Sequence, residues 1–201
     1  GLAPRVVGDI VARPFDGRRN LAPERIAARR RRWVTMVNPE PAKGGLFFIN
    51  IAAQLAATDP DLRLRAVESR WGRADWAARG VPAEALDRID WQPATAGMAR
   101  IYDEAAPLLA PSLGFEASGR VIAEALLAGV PVLAMRTGGI PEQVNDGGFL
   151  FDLPPALAED PLAAPDAADV QAWAMFVRVL MKNDTLYASA VDLALKAGAK
   201  H

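Results

Sequence analysis

The chain alternates between short apolar runs typical of buried strands and longer segments in which apolar residues recur at helical spacing. Six runs predict strands, at residues 33–37, 62–67, 89–92, 107–111, 130–135 and 149–151. The main helices are predicted between them, at residues 45–57, 95–106 and 117–129. Apolar strands that alternate with helices through short links predict a parallel sheet with helices on both faces. The expected fold is therefore α/β, with a Rossmann-like, doubly wound sheet.

Composition limits the chemistry of such a domain. The 201 residues are 51% hydrophobic and carry a formal net charge of −1, which argues against nucleic acid as a partner. Cysteine is absent and the only histidine, His201, is the last residue, where we expect fraying. Thiolate catalysis, histidine catalysis and His/Cys metal sites are therefore excluded from this chain. No apolar stretch approaches the ~20 residues of a membrane span, and a cytoplasmic location is expected.

The first segment of the chain is basic and contains four consecutive arginines, Arg29 to Arg32. They could bind an anionic surface, or they could form the solvated end of a helix before the first strand. The second interpretation is favoured, because four adjacent side chains point in all directions around a helix.

Polar and glycine residues follow the predicted strands at their carboxyl ends, where ligands bind in sheets of this kind. The first loop contains Lys43, whose charge has the wrong sign for the start of the following helix. A bound anion would offset that conflict, although a solvated lysine explains the residue equally well. A helix opens near Gly119, and its first amides and dipole suit a diphosphate. Ser118 as an ordinary N-cap is an equally good explanation of that segment.

Glu124 lies in an otherwise apolar helix. It falls on one line with Glu116 and Arg120, at a spacing of four residues. A carboxylate on that line can accept hydrogen bonds from both hydroxyls of a ribose, as acidic residues do in dinucleotide folds. The alternative is a solvent-facing glutamate that pairs with Arg120.

Glu116, Glu124 and their neighbours resemble the C-terminal, donor-binding domain of retaining GT-B glycosyltransferases of the family 4, or group 1, type. The family pattern has two glutamates separated by seven residues, then Gly-x-Pro-Val-Val and Gly-Gly-x-x-Glu. The matching residues here are Glu116, Glu124, Gly129-Val-Pro-Val-Leu133 and Gly138-Gly-Ile-Pro-Glu142, preceded by Pro111-Ser112. Ser118 replaces a phenylalanine of the pattern. Asn38 stands where the family has an arginine, which implies weaker phosphate binding or a compensating arginine elsewhere.

The resemblance implies a role for each residue at this edge of the sheet. Glu116 would be the catalytic residue that contacts the donor sugar, and Glu124 would hold the ribose. The donor diphosphate would be bound by Asn38, Lys43, Gly119, Arg120 and Val121. The loop around the donor sugar would comprise Ser118, Gly138 and Gly139. Trp91 and Gln92 would lie near the base, although a core position is favoured for Trp91.

The resemblance extends over residues 1–201, which are expected to form a single donor-binding domain, one half of a GT-B fold. A lead-in and arginine-rich stretch would occupy residues 1–32, the sheet core residues 33–153, and a loop with two closing helices residues 154–201. The N-terminal, acceptor-binding half is absent from this sequence. Its absence implies that the chain alone is inactive.

The implied reaction is transfer of a glycosyl group, of the hexosyl type, from a nucleotide-diphosphate sugar with retention of anomeric configuration. No metal or other cofactor is implied, because the helix dipole and Lys43 would neutralise the leaving diphosphate. The base, the sugar, the acceptor (one at a membrane surface included) and the oligomeric state stay open. Two alternatives stay open as well: a nucleotide or nucleotide-sugar binding module without turnover, and a nucleotide-sugar epimerase on the same fold.

Overall fold

Six parallel strands form one sheet in the computed structural model of the chain, which describes residues 23–30, 32–95 and 97–201. The strands are β1 (Trp33–Val37), β2 (Arg63–Val67), β3 (Ile89–Gln92), β4 (Ala105–Ala110), β5 (Val132–Met135) and β6 (Gly148–Phe151). Their order across the sheet is β3-β2-β1-β4-β5-β6. The direction of strand addition therefore reverses between β1 and β4, the position at which doubly wound sheets bind their ligands. The predicted Rossmann-like α/β fold is confirmed.

Helices connect the strands and cover both faces of the sheet. Those that precede or link strands are α1 (Pro23–Arg30), α2 (Gly45–Thr58), α3 (Arg73–Ala78), α4 (Ala83–Leu86), α5 (Met98–Glu104), α6 (Arg120–Leu127) and α7 (Ile140–Val144). The C-terminal helices are α8 (Pro155–Glu159), α9 (Ala167–Lys182) and α10 (Asp184–Gly198). A 3₁₀ turn at Pro41–Lys43 precedes α2. No helix in the described part of the chain is long and apolar enough to cross a membrane.

The core has one layer on each face of the sheet. On one face, α2 and α9 pack on the strands, and the rings of Phe47 and Trp173 meet edge to face with centroids 5.6 Å apart. On the other face, α6 and α10 bury Leu126 and Ala194 against β4 and β5. The two layers hold the strand ends rigidly, so the loops that follow the strands start from fixed positions.

Two of the differences from the sequence-based prediction have a clear physical cause. The helix expected through residue 106 ends at Glu104, and β4 begins at Ala105. Ala105 and Ala106 are fully buried, and Ala105 pairs with Trp33 of β1, so sheet pairing overrides the helical preference of alanine. The loop expected after residue 154 contains α8 and the start of α9, where the Asp166 carboxylate accepts a hydrogen bond from the Ala168 amide.

The arginine run is not simply a solvated helix end. Arg29 is buried, and its guanidinium donates a 2.6 Å hydrogen bond to the Ala128 carbonyl at the C-terminus of α6. A cation at this end stabilises the helix because it faces the negative end of the helix dipole. Arg32 is exposed and pairs with Glu104, as expected for a solvated arginine. Residues 1–22 of the predicted lead-in lie outside the described residues.

Candidate functional site

An open cavity of about 610 Å³ lies at the carboxyl ends of β1, β2 and β4. Its volume is within the range of ordinary small-molecule sites, roughly 300–1,000 Å³. Eight residues predicted from the sequence line it: Asn38, Lys43, Glu116, Ser118, Gly119, Arg120, Val121 and Glu124. The topology therefore brings together residues from the loop after β1 and residues from the loop after β4 and helix α6.

The loops that follow β1 and β4 are fixed to each other. The amides of Leu113 and Gly114 both donate to the Ala42 carbonyl, at 2.9 and 3.1 Å. Gly44 adopts a left-handed conformation with φ at 79°, and a Cβ there would lie 2.1 Å from the Pro111 carbonyl oxygen. The indole of Trp76 donates to the Pro39 carbonyl at 2.8 Å and anchors the loop after β1. Both loops are therefore rigid at the point where they carry charged side chains.

Lys43 and Glu116 form an ion pair across the cavity. Their side chains are 31% and 18% exposed, respectively. The charge of Lys43 is thus balanced by a carboxylate of the protein itself. The expected alignment of Glu116 with Arg120 and Glu124 is not found, because α6 starts at Arg120 and Glu116 lies in the loop before it.

Gly138 and Gly139 contact the backbone of Glu116 and do not line the cavity. The amide of Gly139 donates to the Glu116 carbonyl at 2.7 Å. Gly138 has φ at 52°, and a Cβ at this position would lie 2.2 Å from the same carbonyl oxygen. The two glycines therefore allow the turn after β5 to approach the backbone of Glu116 closely.

The start of α6 offers fewer amides to an anion than the sequence suggested. The Gly119 amide donates to the buried side chain of Gln143 at 2.8 Å, and Gln143 donates back to the Gly119 carbonyl at 3.0 Å. The amides of Arg120 and Val121 precede the first intrahelical bond and have no backbone acceptor in the described part of the chain. Two amides of the predicted set are therefore available to a ligand.

Glu124 is oriented by a residue that sequence reasoning missed. The hydroxyl of Tyr102 donates to one carboxylate oxygen at 2.9 Å, and Arg120 lies 3.6 Å from the other. Burial, and then the adjacent carboxylate, raise the pKa of Tyr102 far above its usual range, so the hydroxyl keeps its proton. The Glu124 side chain is 17% exposed, so it is not a solvated surface residue, although the predicted alternative pairing with Arg120 does occur.

Trp91 and Gln92 do not line the cavity. The indole of Trp91 donates to the Leu86 carbonyl at 2.9 Å and its ring packs against the core. The Gln92 amide donates to the carboxylate of Asp90. The connection after β3 contributes Thr95 to the cavity instead.

The sequence-based expectation is wrong for His201, and it gave Arg70, at the same edge of the sheet, no specific role. His201, expected to fray, contacts the Gln143 carbonyl oxygen at 3.0 Å through its Nε2. Arg70, after β2, lines the cavity although no motif pointed to it. In the residues that the structure describes, no group of three His, Cys, Asp or Glu side chains could hold a metal ion.

A family model described as "Glycosyl transferases group 1" matches residues 32–181 of the chain. The matched segment contains every site residue that the sequence predicted. A search of curated protein sequences found no match.

Solved glycosyltransferase structures share the fold. TarM of S. aureus superposes with a TM-score of 0.67 at 18% identity, over 85% of this chain and 32% of TarM. HepE of Anabaena, solved in complex with UDP-glucose, has a TM-score of 0.67 at 22% identity, over 92% of this chain and 51% of HepE. The C-terminal domain of the group 1 glycosyl transferase LpcC from Francisella tularensis gives 0.64 at 16% identity, over 84% of this chain and 85% of that domain. The predicted fold, one half of a GT-B structure, is therefore confirmed, and the chain spans only part of the length of TarM and HepE.

The close approach behind Glu116 makes Gly138 sensitive to substitution. Gly138→Ala should destabilise the protein more than Gly80→Ala, because both positions have positive φ (52° and 84°) but only Gly138 has an atom near the new Cβ. Left-handed strain alone costs roughly 1–2 kcal/mol, which is the loss expected for Gly80→Ala. Urea unfolding of both variants measures the difference. Equal losses of unfolding free energy would contradict the contact with Glu116.

Proposed function

Since the chain belongs to the group 1 glycosyl transferases, we propose that its cavity binds a nucleotide-diphosphate sugar as the donor for glycosyl transfer. One observation carries the proposal: Lys43, the free amides of α6 and Glu124 line a single cavity at the carboxyl ends of the strands. Lys43 and the amides match the charge and hydrogen-bonding needs of a diphosphate. The Glu124 carboxylate matches the hydrogen-bonding needs of a ribose. HepE, which shares the fold, was solved with UDP-glucose, so a UDP-sugar is the first donor to test.

The diphosphate is proposed to bind between Lys43 and the amides of Arg120 and Val121. Lys43 would exchange its ion pair with Glu116, fully or in part, for a phosphate oxygen. As the bond between the anomeric carbon and the leaving phosphate breaks, negative charge develops on the diphosphate. Lys43 and the positive end of the α6 dipole would stabilise that charge. No metal or other cofactor is part of this proposal.

The ribose is proposed to bind to Glu124. Tyr102 occupies one carboxylate oxygen and holds the group in place. The other oxygen faces Arg120, which is largely exposed and can move away, so a ribose hydroxyl can replace it. A hydrogen bond to a charged acceptor contributes about 1.5–3 kcal/mol when it is well formed.

Glu116 is proposed to contact the donor sugar as the catalytic residue once Lys43 has turned to the phosphate. Its backbone is fixed by the turn at Gly139, which gives the carboxylate a defined position. Ser118 lies beside it in the cavity lining and would contribute to the sugar subsite. Transfer of a hexosyl group with retention of configuration belongs to the proposal through the resemblance of this segment to the family pattern.

Residues 1–201 are proposed to form one donor-binding domain of a two-domain enzyme. The support is the length comparison: the chain covers 85% of the LpcC C-terminal domain but 51% of HepE. We therefore propose that the chain alone binds the donor and that transfer requires an acceptor-binding half. The test incubates the chain with a UDP-sugar and an added acceptor, with and without that half. Transfer of the sugar to the acceptor separates a transferase from a binding module or an epimerase.

Nucleoside diphosphates should stabilise the chain. UDP, GDP and ADP are screened by thermal shift, and the one that binds should raise the free energy of unfolding by roughly 2.7 kcal/mol at a hundredfold excess over Kd.

Lys43→Ala should weaken binding by about 10- to 100-fold, because it removes a charge-assisted contact and leaves Glu116 unpaired beside the phosphates. Lys200→Ala, at an exposed position, is the matched control.

Calorimetry gives the Kd values for this comparison. No thermal shift with any of the three nucleotides at millimolar concentration would refute donor binding by this chain. An equal Kd for Lys43→Ala and Lys200→Ala would place the phosphates away from Lys43.

The ribose assignment predicts a change in sugar discrimination. Glu124→Gln should weaken UDP binding more than 2′-deoxy-UDP binding, so the ratio of the two dissociation constants should shrink. The amide has one acceptor oxygen, which Tyr102 would occupy, and its NH₂ group would then face the ribose. Glu84→Gln, at an exposed position of the short α4, is the control for the same chemical change. An unchanged ratio in Glu124→Gln, measured by calorimetry with the base that binds best, would rule out a ribose contact.

A further inference from the structure

We propose that Arg70 supplies a second cation for the donor diphosphate, in place of the arginine that the family pattern has at Asn38. This inference rests on the proposed donor site and assigns one more residue to it. Arg70 lies in the loop after β2 and lines the same cavity as Lys43 and Glu116.

Among the cationic side chains that line the cavity, Arg70 differs in having no ion-pair partner in the described ranges. Lys43 pairs with Glu116, and Arg120 pairs with Glu124. Glu68 accepts a 2.9 Å hydrogen bond from the Arg73 amide at the start of α3. The Arg70 side chain is exposed and has no ion pair or hydrogen bond with any residue in the described ranges. A ligand with two or more negative charges therefore meets one cation that forms no ion pair with a carboxylate of the described residues.

Sheet register brings the loop of Arg70 beside the loop of Asn38. Val37 and Val67, the last residues of β1 and β2, are partners in the sheet. The Asn38 amide donates to the Val67 carbonyl at 2.9 Å, so the two loops leave the sheet side by side. A long side chain at residue 70 can thus extend toward the space that a long side chain at residue 38 would occupy.

Residue 38 itself is poorly suited to an arginine. Its backbone is left-handed, with φ at 58°, a conformation in which asparagine is several-fold enriched over most residues with a β-carbon. The Asn38 side-chain amide also donates to the Glu40 carboxylate at 3.1 Å, which ties it to its own loop. The geometry of the loop after β1 therefore suits an asparagine at residue 38. The proposed second cation would then come from another position.

The backbone on both sides of Arg70 is held in place. The Glu68 carboxylate binds the start of α3, and a Cβ on Gly72 would lie 2.4 Å from that carboxylate. The ring of Trp71 packs against Trp76, with centroids 5.3 Å apart, and Trp76 in turn anchors the first loop at Pro39. A fixed backbone limits the entropy lost on ligand binding to that of the Arg70 side chain itself.

A phosphate group is the part of a nucleotide sugar that this side chain fits. The guanidinium is permanently charged and presents its donors in a fork that matches two oxygens of a phosphate. The base is uncharged, and so is a neutral hexosyl group such as glucose, so neither gives the positive charge a comparable partner.

The test compares Arg70→Gln with Arg88→Gln, which removes an equal charge at an exposed position outside the cavity. Calorimetry with UDP, GDP and ADP gives the Kd of each variant for the tightest of the three. Arg70→Gln should raise Kd by about 10- to 100-fold, as for loss of a charge-assisted hydrogen bond, and Arg88→Gln should leave it unchanged. Arg70→Lys should retain part of the affinity, because it keeps the charge but loses the fork.

Salt dependence identifies the contact as one to phosphate. Increasing KCl should weaken wild-type binding more steeply than binding by Arg70→Gln, because the variant lacks one of the screened charges. Equal Kd values for Arg70→Gln and Arg88→Gln, or equal salt slopes for wild type and Arg70→Gln, would overturn the assignment. If the wild type binds none of the three nucleotides, the proposed donor site fails as well; if it binds one and only the Arg70 comparison fails, the donor site stands without Arg70.

Discussion

The hydrogen bonds between the loops after β1 and β4 are the constraint on which the site depends. The Ala42 carbonyl accepts from two amides of the β4 loop, and this contact sets Lys43 opposite Glu116. A partly exposed ion pair contributes little to folding stability, typically 0–1 kcal/mol, so its position matters more than its strength. In the proposed donor site, a diphosphate would compete for Lys43 at small cost and release the Glu116 carboxylate toward the sugar. One contact between loops would thereby link the proposed phosphate subsite to the proposed sugar subsite.

Helix α6 is stabilised at both ends by groups from distant parts of the chain. Arg29 binds the carbonyl of Ala128 at its negative end, and Gln143 holds the Gly119 amide and carbonyl at its start. The amides of Arg120 and Val121 are left for a ligand, at the positive end of the dipole. The same helix carries Glu124, whose carboxylate is fixed by Tyr102. The position of α6 therefore determines the relative placement of the proposed phosphate and ribose contacts.

The elements that the sequence predicted well are those determined by local pattern. β1 and β3 have the predicted bounds, because each is a short run rich in β-branched and aromatic residues next to a turn signal. The start of β4 was not predictable in this way, since Ala105 and Ala106 favour a helix and only pairing with β1 makes them a strand. Asn38, Lys43 and Glu116 were predictable as cavity residues because topology places the carboxyl ends of parallel strands at one edge.

The residues that sequence reasoning missed reach the site from elsewhere. Tyr102 comes from α5 and Gln143 from α7, so their contacts depend on helix packing between residues distant in sequence. Arg29 was misjudged for the same reason, since its partner lies 99 residues away. Arg70 does follow a strand, but no spacing rule distinguishes it from an ordinary solvated arginine. Its free charge became visible only once the partners of the other charged groups were known.

A crystal structure of the chain soaked with UDP tests the central claim most directly. The nucleotide is predicted to occupy the cavity between the β1 and β4 loops, with its diphosphate on Lys43 and the Arg120 and Val121 amides, and its ribose hydroxyls on Glu124. Lys43 should move from Glu116 toward a phosphate oxygen. UDP bound on another surface, or bound in the cavity with the Lys43–Glu116 pair intact and the ribose away from Glu124, would contradict it.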